Sequence, residues 1–260
     1  MNDMILRRRG NKTLLAKDIV SYFPFHNTYI ELFFGAGGIF FNKPKAKYNI
    51  LNDIDEDVYN LFLILQDKHN SKLLLNAIKN TPYHTQILKD FSKNKYSENI
   101  IQKATRFLYL SNYSYLGKMD TLKLDNACNS KSLLVKALRQ TYTILNDCIF
   151  SNYDFRKCLK SFNVRDEKQL PNIFIYADPP YLGTNGNYDS FTEKDCIDLF
   201  DSLSETKCKY AISEFNHPFI LEQVKSRNLN LIEIGERRNI NNRQTEILIT
   251  NYETERSLFD

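Results

Sequence analysis

The sequence has few of the features that characterise membrane, secreted or metal-stabilised proteins. Its 260 residues contain no apolar run close to the roughly 20 residues that span a bilayer. The first residues, MNDMILRRRGNK, have no signal-peptide hydrophobic region. The five cysteines form no Cys-x-x-Cys pair, which argues against a disulfide framework and against a zinc ribbon. We therefore expect a soluble protein of the cytoplasm.

The sequence also contains few histidines and has a small net charge. The four histidines are scattered, with no i,i+4 pair to present two ligands on one helix face, so no metal site is expected. The net charge is +4, from 35 basic and 31 acidic residues, which is too small to identify a nucleic-acid-binding protein by itself. Basic residues do cluster near both ends, around Arg8 and around Arg237. The 42% of hydrophobic residues and 25% of charged residues are typical of a globular domain.

Short β-rich runs alternate with helical periods over most of the chain. This alternation predicts an α/β fold with a doubly wound, largely parallel sheet. The last two strands leave no room for a helix between them, so they are expected to pair antiparallel. The predicted strands cover residues 28–34, 48–51, 148–151, 172–177, 209–213, 229–234 and 246–252, and helices are predicted near 39–42 and at 55–65, 192–203 and 218–225.

Residues 66–147 break this alternation, because their pattern is helical or irregular. Helices are predicted at 98–109 and 132–145, with a polar loop at 118–130 between them. We interpret the region as an insertion at the carboxyl edge of the sheet, where α/β proteins bind ligands. The sequence thus predicts a main domain of residues 1–65 and 148–260, with an inserted module that selects the substrate.

A glycine-rich turn follows the first predicted strand, in the sequence ELFFGAGG that begins at Glu31. Glycines there allow a tight turn and a close approach of the backbone to a ligand. Phe40 stands where the dinucleotide-binding fingerprint needs its third glycine, which disfavours an NAD-dependent enzyme. Asp53 follows the second strand, where an acid can accept hydrogen bonds from ribose hydroxyls. The pair predicts an adenosine-type ligand.

The sequence Asp178-Pro179-Pro180-Tyr181 follows the predicted strand 172–177. Two prolines remove two backbone donors and keep the segment extended. The segment can therefore present a carboxylate and the Pro179 carbonyl as acceptors, next to the aromatic face of Tyr181. An exocyclic amino group on a planar base offers the matching two hydrogens and a ring to stack.

These two motifs in this order, FxGxG at Phe33 to Gly37 and DPPY at Asp178 to Tyr181, resemble the Dam-type (D12 class, α-group) DNA adenine-N6 methyltransferases. The resemblance covers nearly the whole chain. Further matches lie at residues 8–12, 52–55, 153–155 and 242–252. It implies a Rossmann-like methyltransferase sheet with an antiparallel last strand, and a mostly helical inserted target-recognition domain at 66–147.

The resemblance also implies S-adenosylmethionine as cofactor. Lys12 would pair with the methionine carboxylate, Asp53 would take the ribose hydroxyls, and Asp154 would accept from the adenine amino group while Phe155 packs on the ring. The complete predicted cofactor set is Arg8, Lys12, Glu31, Phe33, Gly35, Gly37, Asp53, Asp154, Phe155 and Asp178.

The implied reaction is direct methyl transfer to an adenine flipped out of double-stranded DNA. Asp178, Pro179, Pro180 and Tyr181 are the predicted catalytic residues. The carboxylate and the Pro179 carbonyl would accept the two N6 hydrogens and stabilise positive charge as the methyl group arrives. Tyr181 would stack on the base.

DNA contacts are less directly implied. Where the family carries an Asn-Gly-Leu-x-Arg-like stretch, this chain has YSYLGKMDT at 113–121, so no target sequence is transferred. The predicted DNA-binding residues are Lys118, Lys123, Arg237, Arg238 and Arg243. A separate restriction endonuclease would be a functional partner if the chain belongs to a restriction-modification pair.

Two alternatives remain open from the sequence. N4-cytosine methylation needs similar acceptors, although that chemistry more often has Ser at the first position of the motif. A non-catalytic DNA-binding subunit could keep the same fold, although Asp178, Tyr181 and Asp53 are all present. Methylation of RNA or of protein amides is less favoured, because the glutamine-modifying families carry Asn-Pro-Pro-Tyr.

Overall fold

A seven-stranded sheet forms the centre of the molecule. A computed structural model describes residues 5–7, 11–93, 98–114, 127–162, 167–182, 191–238 and 243–254. The strands are β1 (Thr28–Glu31), β2 (Tyr48–Asn52), β3 (Cys148–Ser151), β4 (Ile173–Ala177), β5 (Lys209–Phe215), β6 (Asn230–Arg238) and β7 (Arg243–Thr250).

The strand order is β3-β2-β1-β4-β5-β7-β6. The first five strands in this order pair in parallel, and β7 pairs antiparallel with both β5 and β6. The predicted Rossmann-like α/β fold with an antiparallel last strand is therefore confirmed. The order reverses between β1 and β4, and ligands of open α/β sheets bind at such a point, beyond the carboxyl ends of the strands.

Helices cover both faces of the sheet, and acidic side chains cap several of them. Asp55 accepts hydrogen bonds at the start of α2, Asp154 does so at the start of α7, and Thr192 with Asp195 forms a capping box before α8. The helices are α1 (Ala16–Ser21), α2 (Glu56–Gln66), α3 (Lys68–Asn80), α4 (Thr85–Lys93), α5 (Ile100–Tyr113), α6 (Ala127–Leu145), α7 (Phe155–Ser161), α8 (Glu193–Glu205) and α9 (Pro218–Ser226).

Alternating side chains of the strands form two cores, one on each face. Tyr29 of β1 packs in the core that includes Phe62 of α2. The next residue, Ile30, packs in the opposite core, with Phe155 of α7 and Leu199 of α8. The buried strands are therefore packed on both faces, and this packing fixes the positions of their carboxyl ends.

The helices of the predicted insertion 66–147 have two packing partners. Leu74 of α3, Ala104 of α5 and Leu138 of α6 share the core of the sheet face that contains Tyr29. Leu88 of α4 and Tyr109 of α5 form a third, smaller cluster. The assignment of residues 66–147 to a separate target-recognition domain stays a prediction.

Several predicted boundaries were wrong. The first strand ends at Glu31 rather than at 34, because the chain turns toward the glycines, and the element predicted near 39–42 is a 3-10 helix at Phe40–Asn42. The segment after Gln66 holds two helices, α3 and α4, which were not individually predicted, and α6 begins at Ala127, inside the predicted loop. The last two strands form a longer hairpin than predicted, since β6 reaches Arg238 and β7 begins at Arg243.

Candidate active site

The glycine turn after β1 is shaped by backbone conformations that glycine favours. Gly35 and Gly37 have φ values of +53° and +72°. A Cβ added at Gly37 would come within 2.8 Å of the Phe34 and Phe41 rings, so packing as well as conformation requires glycine there. A Cβ at Gly35 would meet no atom within 4 Å. The turn is therefore packed on its inner side and open at Gly35.

Asp53 holds this turn from the neighbouring strand. Its Oδ2 accepts a hydrogen bond from the Gly35 backbone N–H at 2.6 Å, and its Oδ1 accepts from Asp55 N–H at 2.8 Å. The side chain is buried, and each oxygen has a second lone pair. Asp53 therefore fixes the Gly35 backbone with one oxygen and the Asp55 backbone with the other.

Asn52, the residue before Asp53, ties three strand ends together. Its side-chain N–H₂ donates to the carbonyls of Leu32 and Tyr153, and its Oδ1 accepts from the Ser151 hydroxyl at 2.7 Å. A buried amide that satisfies both ends in this way specifies one arrangement of the strand ends after β1, β2 and β3.

Gly38 brings the N-terminal segment against the turn. An added Cβ would lie 2.2 Å from Asn11 Oδ1 and 3.1 Å from the Lys12 backbone nitrogen. Asn11 Oδ1 also accepts from Thr13 N–H, which fixes the local bend. The missing side chain at Gly38 therefore allows Lys12 to enter the site.

Lys12 makes an ion pair with the predicted catalytic aspartate. Its Nζ lies 2.7 Å from Asp178 Oδ1 and 4.4 Å from the centre of the Tyr181 ring. Lys12 is 3% exposed, whereas the Asp178 side chain keeps 19% of its surface exposed. Asp178 therefore stays accessible to a ligand on one side while a cation holds its other side.

Three buried glutamates surround Asp178. Glu31 ends β1 and accepts from the Tyr29 hydroxyl at 2.7 Å, and Glu214 on β5 accepts from the backbone N–H of Leu182 at 3.0 Å. Burial, together with the nearby Asp178 charge, raises the pKa of Glu31 and that of Glu214 to about 8. Both are therefore largely protonated at neutral pH, which limits the negative charge around Asp178.

The third glutamate, Glu246, contacts the site directly. It is 0% exposed on β7, accepts a short hydrogen bond from the Tyr181 hydroxyl, and lies 3.5 Å from Lys12 Nζ. Burial, and then the charges of Asp178 and Glu246, raise the pKa of Tyr181 well above its ordinary value. Tyr181 therefore remains protonated and donates.

Asp154 and Phe155 lie beyond the carboxyl end of β3. Asp154 caps α7 through the Arg156 N–H and pairs with the Arg156 guanidinium at 3.1 Å. Phe155 packs against Phe33 with 5.7 Å between ring centres, and against Phe191 at 6.0 Å. Of the predicted cofactor residues, Phe33 and Phe155 therefore pack together, and Asp154 precedes Phe155 and pairs with Arg156.

Arg8, Lys118 and Lys123 lie outside the described residues. The backbones of Arg237, Arg238 and Arg243 pair near the tip of the β6–β7 hairpin, Arg238 directly opposite Arg243. Nothing further is described for these three side chains, so the DNA-binding set stays a prediction.

The sequence reasoning missed four residues that build the site: Gly38, Asn52, Glu214 and Glu246. Gly38 lies in the glycine-rich turn and Asn52 lies next to Asp53, but their roles depend on contacts with residues distant in the sequence. The glutamates had a usable signal. Each is the single acid of its strand and is followed directly by an apolar residue, where a buried charge needs a partner.

Two further features of the described part of the chain bear on the site. No group of three or more His, Cys, Asp or Glu side chains in it is placed to hold a metal ion. Within the same residues, no helix is long and apolar enough to cross a membrane.

The chain is similar to several modification enzymes. It is 24% identical to modification methylase StsI of Streptococcus sanguinis over 94% of this chain, and 30% identical to DNA adenine methylase of Escherichia coli K12 over 45% of this chain. The matches span 42% of the length of each of these relatives. Type II methyltransferase M.MjaIII of Methanocaldococcus jannaschii is 23% identical over 74% of each chain.

The family model of the "D12 class N6 adenine-specific DNA methyltransferase" matches residues 9–243. This range contains the glycine turn, Lys12, Asp53 and the DPPY segment, whose geometry is given above. The resemblance inferred from FxGxG and DPPY is confirmed, and the chain belongs to the D12 class N6 adenine-specific DNA methyltransferases.

Proposed function

We propose that this chain transfers a methyl group from S-adenosylmethionine to N6 of an adenine in double-stranded DNA. The observation that carries the proposal is the meeting of Asp178 and Tyr181 with Lys12 and the glycine turn, at the point where the strand order reverses. That arrangement joins acceptors for an amino group, an aromatic face for a base and an open backbone turn in one place.

The described residues fit S-adenosylmethionine. No atom lies within 4 Å of a Cβ added at Gly35, so the backbone there borders an open cradle that a side chain would fill. Asp53 would accept hydrogen bonds from the ribose hydroxyls, and Phe33 with Phe155 would line the adenine ring beside Asp154. When bound, the cofactor supplies a methyl carbon activated by its sulfonium.

Lys12 is proposed to contact both the bound cofactor and the catalytic residue Asp178. An ammonium group has three donors, and Lys12 Nζ lies 2.7 Å from Asp178 and 3.5 Å from Glu246. A cofactor carboxylate would be a further acceptor for Lys12, as the sequence predicts. Lys12 would then link the bound cofactor to the catalytic carboxylate.

The DPPY segment would act on the flipped adenine through two acceptors and one ring. Asp178 and the Pro179 carbonyl accept the N6 hydrogens, and Pro180 keeps the segment extended without a donor of its own. N6 carries positive charge as the methyl group arrives, the Asp178 carboxylate stabilises that charge, and one N6 hydrogen is then lost as a proton. Tyr181 stacks on the base, which has left the duplex at a cost of a few kcal/mol.

DNA binding is proposed to use Lys118, Lys123, Arg237, Arg238 and Arg243. If three or more of these contact phosphates, DNA affinity should fall steeply as salt is raised. A flat salt response would remove this patch from the proposal. The substrate implies action in the cytoplasm, and a restriction endonuclease encoded separately would be a partner acting on the same sites.

The test is a methyl-transfer assay with tritiated S-adenosylmethionine and unmethylated genomic DNA, followed by separation of the digested nucleosides. Asp178→Ala is the inactive control. Label in N6-methyladenine supports the proposal. Label in N4-methylcytosine would keep the cofactor but overturn the base. No label, despite measured cofactor binding, would favour a non-catalytic DNA-binding subunit.

A further inference from the structure

Glu246 is a buried acid to which none of the predicted catalytic, cofactor-binding or DNA-binding roles is assigned. It lies near the start of β7, paired opposite Phe215 of β5, and is 0% exposed. Because β7 runs antiparallel to its neighbours, its first residues lie at the carboxyl ends of the parallel strands. The strand direction therefore brings Glu246 beneath the DPPY segment.

The contacts of Glu246 close a ring of four side chains. Its Oε1 accepts from the Tyr181 hydroxyl and lies 3.5 Å from Lys12 Nζ. Lys12 in turn pairs with Asp178 at 2.7 Å and lies over the Tyr181 ring. A change at Glu246 would therefore reach both catalytic side chains without touching the base.

The charge of Glu246 matters as well as its shape. Burying a carboxylate removes its hydration, and this costs free energy unless nearby partners compensate for it. Lys12 Nζ lies 2.7 Å from Asp178 and 3.5 Å from Glu246, so the ammonium contacts both carboxyl groups. If Glu246 were neutral, the ammonium would bind Asp178 alone and reduce the strength of that carboxylate as an acceptor.

We infer that Glu246 is a positioning residue, which orients the Tyr181 ring through its hydroxyl and shares Lys12 so that Asp178 remains a strong acceptor. This inference rests on the proposed function. Glu246 does not touch the reacting atoms, so its effect must pass through Tyr181 and Lys12.

The experiment compares Glu246→Gln with Glu233→Gln, the same substitution at an exposed position of the adjacent strand β6. For each variant we would measure kcat, the KM for S-adenosylmethionine and the thermal unfolding temperature. We expect Glu246→Gln to lower kcat on the order of 10²-fold, as small misplacements of reacting groups do. Its cofactor KM should change much less, and Glu233→Gln should match the parent protein.

A double-variant cycle with Tyr181→Phe separates positioning from a general structural effect. Tyr181→Phe keeps the ring and removes the hydroxyl that Glu246 holds. If Glu246 acts in part through that hydroxyl, the loss in kcat of the double variant will be smaller than the product of the two single losses. Losses that multiply, or an unchanged kcat in Glu246→Gln, would overturn the inference. If Glu246→Gln fails to fold, an unchanged kcat in Tyr181→Phe would overturn the part that concerns the ring.

A measurement that does not depend on activity distinguishes failure of the Glu246 inference from failure of the proposed function. In protein with ¹³C-labelled tyrosine, the Tyr181 Cζ resonance is assigned by its loss in Tyr181→Phe. We expect it to shift in Glu246→Gln and not in Glu233→Gln. An unmoved resonance overturns the Glu246 contact, whereas a parent protein that methylates no DNA overturns the proposed function alone.

Discussion

The carboxylates on the two sides of the strand reversal are held in different ways. On the side of β2 and β3, Asp53 and Asp154 accept hydrogen bonds from backbone N–H groups, and Asp154 also pairs with the partly exposed Arg156 guanidinium. On the side of β4 and β7, Asp178 and Glu246 are held by the side chains of Lys12 and Tyr181.

Under the proposed function, the difference separates the side that would bind the cofactor from the side that would carry out the reaction. Backbone donors fix a carboxylate with little freedom, both for the buried Asp53 and for Asp154, whose side chain is 41% exposed. Side-chain partners that are themselves buried change the charge balance, because each ionisable neighbour shifts its partners' pKa. The β4 side is therefore the part of the site where electrostatics can be adjusted, and the β2 side is the part where geometry is preset.

The largest expected effect contrasts one aspartate from each side. Asp178→Ala should lower kcat by on the order of 10³-fold or more, because the acceptor for the developing positive charge is lost. Asp154→Ala should instead raise the KM for S-adenosylmethionine with little change in kcat. Steady-state methyl transfer measures both. Substantial turnover in Asp178→Ala, with the protein folded by circular dichroism, would contradict the division.

Gly38→Ala should disturb the entry of Lys12. The added methyl would overlap Asn11 Oδ1 and crowd the Lys12 backbone, so the N-terminal segment must shift. We expect a loss of about 1–3 kcal/mol in the free energy of unfolding, which overpacking typically costs, and a fall in kcat. Gly235→Ala is the matched control, since no atom lies within 4 Å of its added Cβ. Equal denaturation midpoints for the two variants would rule out the close contact.

The substitution Asp53→Asn tests the β2 side of the site, where backbone hydrogen bonds fix the geometry. An amide offers one acceptor oxygen, so either Gly35 N–H or Asp55 N–H loses its partner. Losing a hydrogen bond to a charged group costs about 1.5–3 kcal/mol, and we expect the KM for S-adenosylmethionine to rise by about tenfold or more. Asp67→Asn is the control, because Asp67 caps α3 and Asn caps helices equally well. An unchanged KM would show that Asp53 does not support the cofactor cradle.

A further prediction concerns stability against pH. The folded-state pKa of Glu31 is raised from 4.5 to about 8, so the contribution of Glu31 to stability is fully present below pH 4.5 and is lost as pH rises through 8. Glu31→Gln mimics the protonated acid. Between pH 5 and 8 its unfolding free energy should fall less steeply than that of the parent, by at most about 1.4 kcal/mol per pH unit.

Thermal unfolding across this range provides the measurement, with Glu233→Gln as the control. Lys43, whose pKa is lowered to about 8, stays protonated in both the folded and unfolded states over most of the range and affects stability mainly at higher pH. Parallel curves for Glu31→Gln and the parent would indicate that Glu31 is ionised in the folded protein.

Much of the fold was predictable because its signals are local. The strands at 148–151 and 172–177 lie in short apolar runs, and the structure places β3 and β4 there. The boundaries failed where tertiary packing decides them. The first strand ends at Glu31 because the chain turns to meet Asn52 and Asp53, and α6 begins inside a polar stretch that no apolar period marks.

The site was predictable to the same extent. Gly35 and Gly37 have the positive φ values that a tight turn requires, and Asp53 follows the strand where its acid was expected. The partner of Lys12 was not predictable. Lys12 was assigned to a cofactor carboxylate, and the structure places it against Asp178, far along the chain.

The sequence by itself determined the alternation of strands and helices, the glycine turn and the DPPY segment, because hydrophobic period and backbone restriction act over neighbouring residues. Only the tertiary structure decided which charges meet. Lys12, Asp178 and Glu246 come from the N-terminal segment, the end of β4 and the start of β7, and the antiparallel entry of β7 between β5 and β6 brings them together. Burial then sets the pKa of the neighbouring acids, and burial is a property of the packed fold.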